Sequence, residues 1–130
     1  MCILIPFVST VRCLISLIEL QAITRAIQTS GMPVVHEEKL RVQWVDTDAS
    51  GRIHYTAALR YFEIAEHGLM RRLFARLGEP GATGVAAASF GAGFGLPRVH
   101  VEADYKLALR YPDEFTCSAR IAKVGTSSVT

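Results

Sequence analysis

The residues best suited to chemistry stand close together, between positions 44 and 55 of the chain. Two carboxylates, Asp46 and Asp48, precede a glycine at position 51 and the adjacent pair His54 and Tyr55. Carboxylates act as nucleophiles or general bases, and histidine transfers protons near neutral pH. We therefore take this stretch as the chemical centre of the chain.

The same composition also suits a purely structural turn. The side chains from Asp46 to Ser50 are short and mostly polar, so they can bond nearby backbone groups, and Gly51 can take a positive φ. A calcium loop is the third interpretation, since Asp46, Asp48 and Ser50 have EF-hand spacing. That loop needs a bidentate Glu at its twelfth position, where this chain has Ala57. No metal site is therefore predicted.

Two elements must position this stretch. Before it, the alternation from Leu40 to Val45 predicts a half-buried strand with Leu40, Val42 and Trp44 on one face. After it, a helix is predicted from Ala57 to about Leu77. Its apolar residues recur at three- and four-residue spacing and predict a buried face, namely Ala58, Phe62, Ala65, Leu69 and Leu73, widened by Leu59, Met70 and Leu77.

The ends of this helix carry recognisable signals. Thr56 is the predicted N-cap, because its hydroxyl can accept a bond from an amide of the first turn. Gly78 and Pro80 are expected to end the helix. Glu63 lies on the polar side of the helix, where a solvated face is the commoner explanation. It is therefore a candidate functional residue of second rank.

A segment rich in glycine and alanine follows, from Gly78 to Gly95, with Phe90 and Phe94 as its large side chains. Its glycines at 91, 93 and 95 do not make a dinucleotide fingerprint, which needs a flanking strand and helix and a further glycine where Leu96 stands. We expect a loop whose phenylalanines pack on the core. Lining a pocket is the alternative.

The rest of the chain returns to strand patterns. Alternation predicts strands over 99–106 and 114–124, separated by a turn at 111–113. His100 falls on the polar face of the first strand, so we expect it to be exposed. A hairpin turn is predicted at 125–127, followed by the beginning of another strand.

Composition narrows the function classes. A chain of 130 residues favours one core, and a net charge of +2 from scattered basic residues argues against nucleic acid as a partner. Cys2, Cys13 and Cys117 are too widely spaced for a disulfide framework or a zinc site, which favours a reducing, cytoplasmic compartment. Arg12 and Glu19 interrupt the apolar N-terminal run, so no membrane span is predicted.

Residues 1–33 differ in composition from the rest of the chain. A helix from Thr10 to Thr29, capped by Ser9, is plausible although its apolar stripe is irregular. We expect residues 1–33 to be an N-terminal extension and residues 34–130 to form the working domain.

Three blocks of sequence together resemble a known family. They are Asp46–Tyr55, the Leu-Arg-Tyr-Phe-Glu run at 59–63 and the Leu-Pro-Arg-Val-His-Val-Glu run at 96–102. From Glu37 to Thr130 the chain resembles the 4-hydroxybenzoyl-CoA thioesterase-like family of hotdog-fold acyl-CoA thioesterases. The resemblance implies an α+β fold in which an antiparallel sheet wraps around a long central helix. It also implies sites at a dimer interface, hence a homodimer or higher homo-oligomer.

The resemblance further implies the reaction and its residues. The substrate would be a thioester of CoA or of an acyl carrier protein, hydrolysed to a carboxylic acid and a thiol without metal or redox cofactor. Asp48 matches the family's catalytic carboxylate, leaving Asp46 as the turn-former, and the backbone amide of Tyr55 would face the thioester carbonyl. Direct attack by the carboxylate and activation of water both remain open, as does an aryl or aliphatic acyl group. The candidate substrate-binding residues are His54, Glu63, Phe90 and Phe94.

One departure from the family supports a different function class. Relatives continue through further strands after a turn like Gly125-Thr126, so we expect a domain that lacks its last strands. A sheet without them exposes an unpaired edge. The alternative function is therefore a non-catalytic hotdog module for binding or assembly, and a dehydratase-like enzyme is a weaker possibility.

Overall fold

A computed structural model describes residues 7–14, 21, 23–25, 27–28, 35–77 and 97–130 of the chain. Residues 21, 23–25 and 27–28 are helical. The named elements, in chain order, are strand β1 (Phe7–Leu14), strand β2 (Val35–Arg41), helix α1 (Tyr55–Leu77), and strands β3 (Arg98–Tyr105), β4 (Glu114–Arg120) and β5 (Ser128–Val129). One long helix with antiparallel strands confirms the predicted α+β class.

The described strands divide between two antiparallel sheets. β2 pairs with β4 along its whole length, from Val35 opposite Arg120 to Arg41 opposite Glu114. An exposed ion pair joins the Arg41 and Glu114 side chains at one end. In the second sheet β1 lies between β3 and β5, so the N-terminal strand is its central member.

Helix α1 packs on the sheet formed by β2 and β4. The main buried cluster lies there and takes residues from the helix, the sheet and the adjoining loops, namely Val42, Ile53, Ala57, Ala58, Tyr61, Ala65, Leu109, Phe115 and Cys117. Tyr61 and Phe115 meet edge to face, with ring centroids 5.0 Å apart, a favourable geometry for aromatic pairs. The buried helical stripe is therefore confirmed at Ala58 and Ala65.

The closest approach between helix and sheet is at Gly68. A Cβ at this position would lie 2.0 Å from Nε2 of His36. The His36 ring comes from β2 and its Nε2 lies 2.8 Å from a carboxylate oxygen of Glu38. Only a residue without a side chain lets the helix and this ring come so close.

Two predictions for the residues before the helix are wrong, the bounds of the strand and the burial of Trp44. The strand predicted over Leu40–Val45 is observed as β2 at Val35–Arg41, and a single 3₁₀ turn occupies Trp44–Asp46. Trp44 is consequently 76% exposed instead of facing the core with Val42. The reason is that the 3₁₀ turn ends the two-residue alternation on which the prediction for Trp44 depended.

The predicted N-terminal helix is also wrong in its first part, since residues 10–14 belong to β1. The pairing of β1 with β3, more than eighty residues later, overrides the weak helical pattern. In contrast, β3, the turn at 111–113 and the hairpin ending in β5 occur where they were predicted, β4 begins where it was predicted, and His100 is exposed. β4 ends at Arg120, four residues before its predicted end. Phe90, Phe94 and the predicted helix stop at Gly78 and Pro80 lie outside the described residues.

Candidate functional site

Asp46 anchors the loop that joins β2 to α1. Its side chain is almost fully buried, and its carboxylate accepts hydrogen bonds from the Tyr61 hydroxyl and the Arg60 guanidinium on the helix. The Tyr61 oxygen in turn accepts a bond of 3.4 Å from the backbone N–H of Gln43. The backbone carbonyl of Asp46 accepts the N–H of His54 at 2.7 Å. This buried cluster fixes the loop against the first turns of α1.

Asp48 forms the turn itself. One carboxylate oxygen accepts both the backbone N–H of Ser50, at 2.7 Å, and the Ser50 hydroxyl, at 2.6 Å. The Gly51 N–H bonds back to the Asp48 carbonyl, and Gly51 has φ of 73°. The predicted turn is therefore confirmed. The prediction that Asp46 forms it is wrong, because the Asp46 carboxylate is buried and bonds to side chains of the helix.

These contacts set the charge of the exposed Asp48 carboxylate. The Ser50 hydroxyl bond lowers the pKa of Asp48, and the Ser50 backbone N–H lowers it further, with a smaller contribution from the charge of His54. Hydrogen bonds to a carboxylate stabilise its ionised form. Asp48 is consequently an anion throughout the neutral range.

The loop ends where α1 begins, at Tyr55. His54 is the capping residue, because its Nδ1 accepts the Thr56 N–H at 3.3 Å and its carbonyl accepts the Ala57 N–H. The prediction of Thr56 as N-cap is therefore wrong, since Thr56 already lies inside the helix. No described residue accepts a hydrogen bond from the Tyr55 N–H. That donor is left at the positive end of the helix dipole.

An open cleft of about 380 Å³ brings Asp48 and Tyr55 together. Its other lining residues include two cations, a tyrosine and apolar side chains, namely Ser50, Arg52, Ile53, Tyr105, Lys106, Leu107 and Ala108. An anion, an aromatic wall and two cations thus share one concave surface. The cleft is open to solvent and offers both charged and apolar contacts to a ligand.

The second wall of the cleft follows β3 and was not predicted from the sequence. It is held in place by two backbone contacts, the Ile53 N–H to the Leu109 carbonyl at 2.9 Å and a bridge between Arg52 and Arg110. The Tyr105 hydroxyl also donates to the Tyr55 carbonyl at 2.7 Å. These pairings join segments about fifty residues apart, so local periodicity carries no signal for them.

The remaining predicted site residues lie elsewhere. His54 is exposed beside the cleft, with its ring centroid 4.5 Å from that of Tyr55 and its Nδ1 2.7 Å from the Thr56 hydroxyl. Glu63 lies two turns further along α1, where it accepts a bond of 3.3 Å from Arg98. Within the described chain Glu63 therefore faces β3 rather than the cleft.

The described residues show neither a metal site nor a membrane span. They contain no group of three or more His, Cys, Asp or Glu side chains arranged to hold a metal ion. None of the described helices is both long enough and apolar enough to cross a membrane. Two of the predicted site residues, Asp48 and Tyr55, line the cleft.

A family model described as "Thioesterase superfamily" matches residues 50–130, which is more than half of the chain. Comparison with curated proteins and with solved structures gives no match. The matched range begins two residues after Asp48 and includes Tyr55, all of α1 and the second wall of the cleft. Because this superfamily has the hotdog fold, the predicted resemblance and the predicted fold class are both confirmed.

Proposed function

The chain belongs to the thioesterase superfamily, and on that premise we propose that it hydrolyses acyl thioesters of CoA or of an acyl carrier protein at the cleft beside the start of α1. The observation that carries this proposal is that one cleft is lined by Asp48, whose carboxylate has a lowered pKa, and by Tyr55, whose N–H donates to no described residue at the start of α1. Thioester hydrolysis needs a nucleophile or base on the carbonyl carbon and a donor on its oxygen. Asp48 and Tyr55 match these two needs.

The Tyr55 N–H is the proposed oxyanion donor. When the carbonyl carbon becomes tetrahedral its oxygen gains negative charge, and the first amides of a helix stabilise such a charge. Removing one oxyanion-hole donor typically slows a reaction by about 100-fold or more. The Tyr105 hydroxyl supports this geometry, because its bond to the Tyr55 carbonyl fixes the peptide unit that follows the donor.

Asp48 is the proposed attacking group or general base. In the direct route its carboxylate oxygen bonds to the carbonyl carbon and the C–S bond breaks. This gives a mixed anhydride and a thiolate, and water then hydrolyses the anhydride. In the other route Asp48 takes a proton from water, whose oxygen forms the new C–O bond as the thiolate leaves. Both routes release one carboxylic acid and one thiol per water consumed.

A matched pair of variants tests the proposal. Purified protein is assayed for thiol release from a panel of aryl- and fatty acyl-CoA thioesters, together with Asp48→Asn and, as control, Glu102→Gln. Glu102 is an exposed carboxylate on β3 whose nearest ion-pair partner is His100 at 3.8 Å. We expect Asp48→Asn to lose about 10²–10⁴-fold in kcat/KM and Glu102→Gln to match wild type. Equal activity of Asp48→Asn would falsify the assignment.

Single-turnover hydrolysis in ¹⁸O-labelled water then tests the direct route. Label on the Asp48 carboxylate identifies direct attack, because water can add to the Asp48 carbonyl carbon only in the mixed anhydride. Attack of water on the acyl carbon of the anhydride labels the acid instead, so label on the protein is the diagnostic result. Water activation puts the label in the acid and none on the protein. Tight binding of acyl-CoA with no release of thiol by any variant would instead favour a non-catalytic binding module.

We extend the proposal to a homo-oligomer, as the family resemblance implies. Several large apolar side chains are exposed around the loop and the first half of α1, namely Trp44, Val45, Tyr55, Leu59 and Ile64. Exposed large apolar side chains favour association with another surface. Light scattering of the purified protein should give at least twice the monomer mass, and a monomer at micromolar concentration would contradict this part.

A further inference from the structure

Arg52, which lines the cleft, forms an unusual pair with Arg110. They are partners in an antiparallel bridge, and opposite residues in such a bridge project their side chains to the same face. Both are exposed, and among the described residues neither guanidinium forms an ion pair. Like charges directly opposite each other destabilise a strand pair. An anion bound between them would remove that cost.

One more cation, Lys106, and three carboxylates lie near the pair of arginines or on the same segments. Lys106 lines the same cleft as Arg52, and its Nζ lies 3.6 Å from a carboxylate oxygen of Asp104 in an exposed pair. Exposed pairs of this kind are weak and exchange readily for a better anion. Asp113 is engaged in the turn, where it accepts the Arg110 backbone N–H at 2.8 Å. Asp48 is the carboxylate that lines the cleft itself.

We propose that Arg52, Arg110 and Lys106 bind a phosphate group on the carrier portion of the thioester substrate, an inference that rests on the proposed function. Arginine offers a planar fork of N–H donors that suits phosphate oxygens, and lysine adds a compact charge. CoA and phosphopantetheinylated carrier proteins both present a phosphate at the end of the pantetheine arm. The proposal therefore names the chemistry that the two substrate classes share.

The distances along the chain fit that arm. A pantetheine arm has about as many linear bonds as four extended residues, so it spans roughly 14 Å. Arg52 precedes Tyr55 by three residues, which is at most about 10 Å of extended chain, and its side chain adds reach in the outward direction. The arm is therefore long enough to join a phosphate near Arg52 to a thioester at the Tyr55 amide. Leu107 and Tyr105 line the cleft beside that path.

Equilibrium binding tests the inference without any turnover. Dissociation constants for CoA and for pantetheine are measured with wild type, with the double variant Arg52→Gln/Arg110→Gln, with Lys106→Gln and with the control Arg120→Gln. Arg120 is an exposed arginine at the far end of β4. We expect a weakening for CoA of about 10-fold or more in the double variant and less in Lys106→Gln. Pantetheine, which lacks phosphate, should bind equally to all four proteins.

One further ligand, 4′-phosphopantetheine, identifies the phosphate that is bound. If 4′-phosphopantetheine loses as much affinity as CoA in the double variant, the site binds the phosphate that CoA and carrier proteins share, as proposed. If only ligands with the 3′-phosphate show the loss, the shared phosphate is not the one bound and the inference is overturned. Unchanged CoA binding in the double variant, or an equal loss for pantetheine, would overturn it as well. If no thioester is hydrolysed, the proposed function is wrong, but the binding constants still show whether these residues bind the phosphate.

Discussion

Replacing Gly68 by alanine tests how closely α1 packs on β2. The added Cβ would lie 2.0 Å from Nε2 and 2.4 Å from Cδ2 of His36, well inside the ordinary contact distance of about 3.5–4.0 Å. The ring cannot leave without losing its contact with Glu38. We therefore expect Gly68→Ala to destabilise the protein, although alanine is the better helix former.

The magnitude follows from two opposing effects. Alanine in a helix interior is favoured over glycine by about 1 kcal/mol. Forcing extra volume into a packed interface costs about 1–3 kcal/mol. The expected net loss is about 1 kcal/mol, or roughly 4 °C in the thermal midpoint for a domain of this size.

A double-mutant cycle makes the prediction specific. In a His36→Ala background the clash is absent, so Gly68→Ala should stabilise the protein by about 1 kcal/mol. The coupling energy between positions 36 and 68 is then about 2 kcal/mol. Urea denaturation of the four proteins, with equal m-values, measures it. If Gly68→Ala stabilises both backgrounds to the same extent, the packing described between α1 and β2 is refuted.

Three other variants and measurements test the site and the core. Tyr61→Phe removes a donor to the buried Asp46 carboxylate, so we expect a loss of about 1–3 kcal/mol in urea denaturation. Ser50→Ala removes the main cause of the lowered pKa of Asp48, so the acid limb of the kcat/KM profile should move to higher pH. Burial raises the pKa of the Cys117 thiol to about 11, so alkylation of the native protein at pH 8, mapped by mass spectrometry, should spare Cys117 until urea unfolds it.

Each of these has its own control and its own contradictory outcome. Tyr111→Phe removes an exposed hydroxyl and should leave stability nearly unchanged, so an equal loss in both tyrosine variants would remove the special role of Asp46. If the acid limb of the kcat/KM profile does not move in Ser50→Ala, the group that titrates in that limb is not Asp48. For Cys117 the unfolded thiol loses its proton first, so stability should also fall as pH rises from about 9 towards 11. Rapid native alkylation would contradict its burial.

The parts of the fold that were predicted correctly depend on local signals. The turn from Asp46 to Gly51 follows from side chains that bond their own backbone and from a glycine with positive φ. Helix α1 follows from its apolar spacing, which buries Ala58, Ala65 and Leu73 as expected. These signals act over a few residues, so a single sequence displays them.

The parts that were missed depend on pairing between distant segments. β1 is a strand because β3 and β5 pair with it, and its Phe, Val and Thr residues also favour a strand, which the helix prediction from Thr10 did not weigh. The cleft wall at Tyr105–Ala108 faces Asp48 because Ile53 and Arg52 pair with Leu109 and Arg110. No spacing rule connects those positions.

The wrong prediction that Asp46 forms the turn has another cause. Asp46 and Asp48 differ by two positions and have the same chemistry, so only burial separates them. The 3₁₀ turn at Trp44–Asp46 directs Asp46 towards Tyr61 and leaves Asp48 exposed. The sequence pattern shows that two carboxylates are present but not which of them accepts hydrogen bonds from the helix.

The central place of β1 in its sheet has a consequence for synthesis. β1 leaves the ribosome long before β3 has been synthesised. It therefore has no partner strand until most of the chain has been made. Pairings between distant segments form slowly, because the intervening loop must close first. The sheet of β3, β1 and β5 should accordingly form last, and pulsed hydrogen exchange during refolding should protect β1 amides after those of α1. Protection of β1 before α1 would reverse this order.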